Sequence, residues 1–359
     1  MYKIPLSRPS YLSFTDEVCA AVEKVIRSRM IAQGERVAEF ESMITAYVGT
    51  KYAIAVSSGT AGLYLCLKAL GIGQGDEVIT TPFSFIASSN VILWAGAKPI
   101  FCDIERDTYN IDLLTLRKRT LHPTVKALLP VDVFGNPCKT ELMGLQGIPI
   151  ILDSCESFGT KMQRPFDACV YAFYPNKQLT TGEGGCICTD NHYIADYCRA
   201  ARNQGRSTTD TWLESSMIGW NFRMSDIHAT IGIEQLKRWD EIVQKRVHIW
   251  NEYSLRLKGL VKMQKLTSGI EFICPFVFTV EVPNRDKVMT YLLDHGIECK
   301  PYFPCIHLQK PYREMGYHEG MFPVAEEVSR RTLAIPFFTD MQESEVDGVC
   351  GVLKEALDE

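Results

Sequence analysis

No apolar run in this chain approaches the roughly 20 residues that a bilayer-spanning helix needs. The opening stretch MYKIPLSRPS lacks a signal-peptide h-region. Both absences lead to the expectation of a cytoplasmic protein with no membrane partner. Positive charge is not in excess: 38 Lys and Arg face 43 Asp and Glu, for a net charge of -5, which argues against non-specific binding to nucleic acid or anionic membranes. No repeated C-x-x-C pair with zinc spacing occurs. The 13 cysteines are odd in number and scattered through apolar segments, as at Cys66, Cys169, Cys186, Cys188 and Cys198. They read as small buried hydrophobes of a reducing compartment, with no metal site expected. Neither a Walker A loop nor a G-x-G-x-x-G is present, which disfavours a P-loop kinase and a nicotinamide enzyme. Internal repeats and low-complexity segments are also missing.

What is there is a globular composition, 46% hydrophobic and 23% charged over 359 residues, enough for one large domain and a smaller one. Short β-rich runs alternate with helical patterns. YAIAVSS precedes TAGLYLCLKAL, EVITT precedes SFIASSNVILWAG, and KPIFCDI precedes NIDLLTLRKRT. VKALLPVDV then precedes KTELMGL, and IPIILDS closes the series. Strands that are apolar throughout, separated by helices, predict a mostly parallel sheet covered on both faces; ACVYAF and GGCICTD add further strands. From Asp226 the pattern turns helical for about 35 residues, through DIHATIGIEQLKRWDEIVQKRVHIWNEYSLRLKGL. Beyond it lies an α+β region. The expected division therefore falls inside that helix: residues 1–240, N-terminal segment included, and residues 241–359.

Ligands of open α/β sheets sit at the carboxyl ends of the strands, and three strand ends here carry suitable groups. Ser57 to Gly62 (SSGTAG) is a small-residue turn into a helix, where free amides and the helix dipole suit a phosphate; an ordinary N-cap turn is the bland alternative. Asp153 ends the apolar run of IPIILDS, where an unpaired carboxylate is costly to bury. Lys177 stands in YAFYPNKQLTTGEGG between aromatics and a glycine loop. An anion cradle, a carboxylate for a pyridine nitrogen, an aromatic face and an amine able to form a Schiff base together fit one cofactor, pyridoxal 5'-phosphate. Desolvation near a second cation would favour the free, nucleophilic amine.

The ordered motifs AQGERVAEFE, AVSSGTAGLYLCLKAL, TPFSFIASSN, LPVDVFGNP, LDSCESFGT, FYPNKQLTTGEGGCICTD, GWNFRMSDIHATIGIEQLKR and HLQKPYREMGY span nearly the whole chain. In them the sequence resembles the sugar aminotransferases of the DegT type, fold-type-I pyridoxal phosphate enzymes acting on nucleotide-linked ketosugars. The resemblance implies a three-layer α/β large domain with a mostly parallel sheet and a smaller α+β C-terminal domain. It implies that Lys177 joins the cofactor and shuttles protons, that Asp153 faces the ring nitrogen, and that Phe85 stacks on the ring. Gly59, Thr60 and Ala61 would hold the phosphate, with Asn221 and Arg223 reaching it from the neighbouring subunit of a homodimer. Glu183 and His307 would line the sugar-nucleotide site, and glutamate would be the amino donor. Two positions depart from the family pattern. Ala172 stands where a phosphate-binding Ser is usual, and Glu156 where Gln or His meets the phenolic oxygen; two anions there would repel, so either Glu156 is protonated or the phenol keeps its proton, and a perturbed Glu156 is expected. Asp132 replaces a usual His, as in enzymes of the GDP-perosamine type. Arg206, Lys300 and Arg313 are candidates for the diphosphate. Alternatives are a ketocyclitol substrate, a sugar dehydratase (disfavoured because Lys177 is not His) and a non-catalytic sensory relative (disfavoured by intact Lys177 and Asp153).

Overall fold

Why the early strands are apolar throughout is visible in how their side chains divide. The computed structural model describes residues 3–120, 122–140, 147–161, 165–207, 210–211 and 213–359. The first seven strands are β1 (Tyr52–Val56), β2 (Glu77–Thr80), β3 (Lys98–Phe101), β4 (Val125–Leu128), β5 (Ile151–Asp153), β6 (Ala168–Ala172) and β7 (Gly185–Thr189). Strands β3-β2-β4 pair in parallel, and β5 pairs in parallel with β6. Parallel bridges Leu128–Ile150 and Val131–Asp153 join the two groups. Strand β7 runs antiparallel between β6 and β1. The layer thus reads β3-β2-β4-β5-β6-β7-β1 and is mostly parallel.

On one face, Ala53, Ala55, Cys169, Tyr171, Cys186 and Cys188 pack with Phe40, Ile44 and Ile233 from the helices Glu35–Val48 and Asp226–Leu236. On the other, Ile54, Val56, Val170 and Ile187 pack with Leu63, Leu67, Ile92 and Cys198 from the helices Gly59–Ala69, Ala87–Trp94 and His192–Arg202. Both pleat faces are buried, so alternation disappears from the sequence. All cysteines are free, and all but Cys19 and Cys155 are buried, as small apolar residues are. The helix expected in KTELMGL lies largely outside the described residues.

The expected 35-residue helix is two helices, Asp226–Leu236 and Trp239–Arg256. Arg238 leaves helical angles (φ -115°, ψ 18°). The turn buries Trp239 against Phe158, with ring centroids 4.9 Å apart. Asp240 and Glu241 then fall in a new first turn, where the helix dipole favours anions. Apolar periodicity continues across the break, so the pattern alone could not reveal it.

Strands β8 (Lys262–Met263), β9 (Phe278–Glu281), β10 (Lys300–Pro301) and β11 (Thr332–Ile335) form an antiparallel sheet in the order β10-β11-β9-β8. Trp250, Tyr253, Phe278, Leu292, Leu333 and Leu353 make its core with the helices Trp239–Arg256, Arg285–Asp294 and Glu343–Asp358. The N-terminal segment, expected with residues up to 240, docks here instead. Ile4 bridges Ile297, the Leu6 amide donates to Glu298 Oε2 at 3.0 Å, and the Phe337 amide donates to the Leu6 carbonyl. A fourth core cluster joins Phe83, Tyr109 and Phe134 to Phe276, Phe303 and Tyr312 across the position of the expected division.

Candidate active site

Strands β1, β2, β5 and β6 deliver their carboxyl ends to one cavity of about 290 Å³. After β1, the chain turns directly into the helix Gly59–Ala69. Ser58 caps it by accepting from the Ala61 amide at 3.1 Å. A Cβ on Gly59 would lie 2.6 Å from Cys155 Sγ and 2.8 Å from Ala172 Cβ, so only glycine lets this helix start approach the wall. Gly59 and Thr60 line the cavity, and their first-turn amides have no acceptor within the helix. Ala61 does not line it. Its amide is already satisfied by Ser58, which sets it apart from the two residues it was grouped with.

Asp153 is the last residue of β5 and is buried. Its Oδ1 accepts from the Cys155 amide at 3.1 Å and its Oδ2 from Ser88 Oγ at 2.6 Å. Lys177 follows β6 by a turn whose amide donates to the Tyr174 carbonyl. Its Nζ is half-buried, 3.6 Å from Glu156 Oε1 and 4.2 Å above the Phe276 ring. Lys177 is thus partly desolvated, as its aromatic surroundings in the sequence suggested. Glu156 is buried, and its Oε2 accepts from the Phe134 amide at 3.0 Å. Burial pushes its carboxyl up from the usual range, and the Lys177 charge opposes that rise. The neighbouring Gly135 adopts a left-handed φ of 86°, and a Cβ there would meet the Glu156 carbonyl at 2.7 Å. The VFG turn therefore wraps closely around this segment.

Phe85, 62% exposed, stands on the cavity wall with Glu183 and Ala172. Ala172 brings no hydroxyl to the position where the family pattern has one. Asp132 is buried behind the site and accepts from the Cys138 amide, Ser157 Oγ and Ser154 Oγ; burial raises its carboxyl to about 6.

His307 is elsewhere. It is fully buried, its Nε2 lies 3.0 Å from Glu326 Oε1, and its ring packs on Phe322. Burial lowers its pKa against the pull of Glu326. It packs in the core of the 306–326 region and is not among the residues that line the cavity. Asn221 and Arg223 also lie off the cavity of their own chain. Arg223 Nη1 donates to Asn203 Oδ1 at 3.0 Å, and Asn221 bridges Asn203. Of the diphosphate candidates, Arg206 donates to Asn203 and Lys300 pairs with Glu298; none of the three, Arg313 included, lines the cavity.

Residues not singled out from the sequence complete the wall: Ser84, Cys155, Tyr174, Asn176, Tyr302 and Phe303. Burial and the Glu156 charge both raise the Tyr302 phenol. Tyr302 and Phe303 come from a proline- and aromatic-rich loop more than a hundred residues away, which no local pattern ties to Lys177. Asn176 Oδ1 is buried without a hydrogen-bond partner among the described residues, an acceptor left open beside the lysine. An open acceptor, an exposed Phe85, a glycine-only helix start, a buried carboxylate and a half-buried amine on one cavity fit pyridoxal phosphate.

The sequence model of the DegT/DnrJ/EryC1/StrS aminotransferase family matches residues 13–354. The chain belongs to that family. It is 33% identical to the spore coat polysaccharide biosynthesis protein SpsC of Bacillus subtilis (strain 168), covering 93% of this chain and 92% of that protein. It is 30% identical to the GDP-perosamine synthase of Escherichia coli O157:H7, covering 99% of each. The crystal structure of S. venezuelae DesV in complex with a ketimine intermediate superposes with a TM-score of 0.92 at 27% identity, over 100% of both chains. The protein is an aminotransferase of the pyridoxal-phosphate-dependent sugar aminotransferase family, with that family's three-layer α/β fold.

Proposed function

We propose that the protein transfers an amino group from glutamate to a keto group of a nucleotide-linked deoxyhexose. The observation that carries this reading is the chemistry of the cavity wall. Lys177 is its one cationic side chain among the described residues; the rest is aromatic, small or aliphatic, thiol, amide and hydroxyl, with the carboxylates Asp153, Glu156 and Glu183. A polyhydroxylated ring bearing a keto group suits the wall's tyrosines, its open amide acceptor at Asn176 and its exposed glutamate, Glu183. The GDP-perosamine synthases among the relatives are named for a nucleotide-linked amino sugar, which supports this substrate class.

Bound pyridoxal phosphate supplies an electron sink and an amine carrier. Lys177 Nζ is the amine that meets its aldehyde and that moves the proton at the reacting carbon. Asp153 holds the ring nitrogen, Phe85 covers the ring, and the Gly59 and Thr60 amides take the phosphate. Glu156, its carboxyl raised by burial against the pull of Lys177, faces the phenolic oxygen, and one proton between the two keeps them from meeting as anions. Glu183 meets the sugar hydroxyls at the mouth, with Tyr302 and Asn176 alongside.

Asn221 and Arg223 reach the phosphate from a second copy of the chain, which makes the homodimer the active unit. Support for such an interface comes from the surface around them. Trp220 and Phe222 stack at 11°, Tyr64 packs edge-on against both, Trp94 is exposed nearby, and Ile218 is 86% exposed. Apolar surface of this kind, partly buried aromatics edged by an exposed Trp94 and Ile218, marks an association site. The division near residue 240, with the first residues joined to the C-terminal part, is the domain organisation we assign. No described helix is long and apolar enough to cross a membrane, and the cytoplasm, where nucleotide sugars are made, is the compartment proposed.

The test offers GDP-, TDP- and UDP-linked 4-ketosugars, and a ketocyclitol, to the enzyme with glutamate. Mass spectrometry is expected to find an amine gained by one nucleotide sugar. Amination of the ketocyclitol alone would overturn the substrate class.

A further inference from the structure

The helix Ala87–Trp94 begins three residues after the cavity-lining Ser84, and its second residue, Ser88, is buried. The Ser88 hydroxyl has one proton and several acceptors in reach. The Phe85 carbonyl is 3.3 Å away, the ordinary back-bond of a serine in a first helical turn. Asp153 Oδ2 is 2.6 Å away. The shorter contact, to a carboxylate, takes the proton, because charge-assisted bonds of this length are about twice as strong as neutral ones. Ser84 Oγ lies 3.3 Å from Ser88 Oγ on the cavity side and can donate to it.

With the Cys155 amide on Oδ1, the carboxylate is gripped at both oxygens. A carboxylate held at one oxygen alone can turn about its terminal torsion, which is broad. Two grips fix its plane and leave the remaining lone pair of Oδ2 aimed in one direction. The same turn of chain carries Phe85, so one loop and helix start sets both the aromatic wall and the plane of the acid.

We infer that Ser88 is the positioning residue that orients Asp153 toward the ring nitrogen of the cofactor, with Ser84 completing the hydroxyl chain; this rests on the pyridoxal phosphate reading of the cavity. Ser88 does not itself touch the cofactor. Its effect passes through one oxygen of Asp153.

The experiment compares wild type, Ser88→Ala and Ser88→Thr for equilibrium binding of pyridoxal 5'-phosphate and of its 1-deaza analogue, in which carbon replaces the ring nitrogen. Losing a hydrogen bond to a charged group is expected to weaken binding of pyridoxal phosphate to Ser88→Ala by about tenfold to a hundredfold. Ser88→Thr, which keeps the hydroxyl, is expected to restore it. Binding of the deaza analogue is expected to change little in Ser88→Ala, since that ring offers Asp153 nothing to meet. Equal loss of both ligands would make Ser88 a merely structural residue and overturn the inference, as would unchanged pyridoxal phosphate binding by Ser88→Ala. Failure of the wild type to bind pyridoxal phosphate at all would instead overturn the reading of the cavity, so the two failures are distinguishable.

Discussion

Asp132 is a buried carboxylate with three hydrogen bonds and no cationic partner among the described residues, and its carboxyl rises from 3.8 to about 6. Burial disfavours the ion more than the Cys138 amide and two serine hydroxyls favour it. The folded chain therefore binds this proton more tightly than the unfolded one. The stability linked to it is fully present below pH 3.8 and is lost as pH rises through about 6, a difference of about 3 kcal/mol. Asp132→Asn keeps an acceptor for the Cys138 amide and a donor for the serines without the ion. It is expected to be more stable than wild type at pH 7 by about 2–3 kcal/mol in urea unfolding, with the gain gone near pH 3.8. A variant less stable at pH 7 would mean that the ion pays its way there. The sequence marked Asp132 only as a departure from the family pattern; its setting between residues 138 and 154–157 is tertiary.

At the scale of elements, the strands of the parallel layer were legible because burial on both faces removes polar residues from them, and their carboxyl ends located Asp153 and Lys177. Less was legible where an element's meaning depends on a distant partner. The helix break at Arg238 is set by Trp239 settling on Phe158 and Tyr47, and those partners lie some 80 and 190 residues earlier in the chain. Trp239→Ala should cost about 3–5 kcal/mol, as large buried aromatics do, measured by urea unfolding. A cost under about 1 kcal/mol would show that the kink does not depend on this anchor. His307 shows the reverse difficulty. Its motif pointed to the substrate, yet the buried Glu326 beside it, which also accepts from the Gly320 and Phe322 amides, makes it a core histidine. Docking of Ile4 beside Ile297 left no sequence signal, because a single bridge has no periodicity.

For the whole molecule, one chain supplies the amine, the acid, the aromatic wall and the helix start, while Asn221 and Arg223 stand off their own cavity. If the second copy provides them, the catalytic unit has two-fold symmetry and each site draws on both chains. Lys177→Ala and Arg223→Ala homodimers are each expected to be nearly inactive. Mixing them under conditions that exchange subunits should restore activity, because some mixed dimers hold one complete site. No recovery, with exchange verified by mass, would mean that each site is built within one chain. Ile218→Asp, on the exposed apolar surface, should shift the protein toward monomer in light scattering and weaken its hold on the cofactor.

Reductive trapping decides whether the half-buried amine beside Glu156 is the one that meets the cofactor. The protein is incubated with pyridoxal phosphate, reduced with borohydride, digested and mapped by mass spectrometry. A phosphopyridoxyl group on Lys177, abolished in Lys177→Ala, is the expected result; an unlabelled Lys177, or a label spread over surface lysines alone, would contradict it.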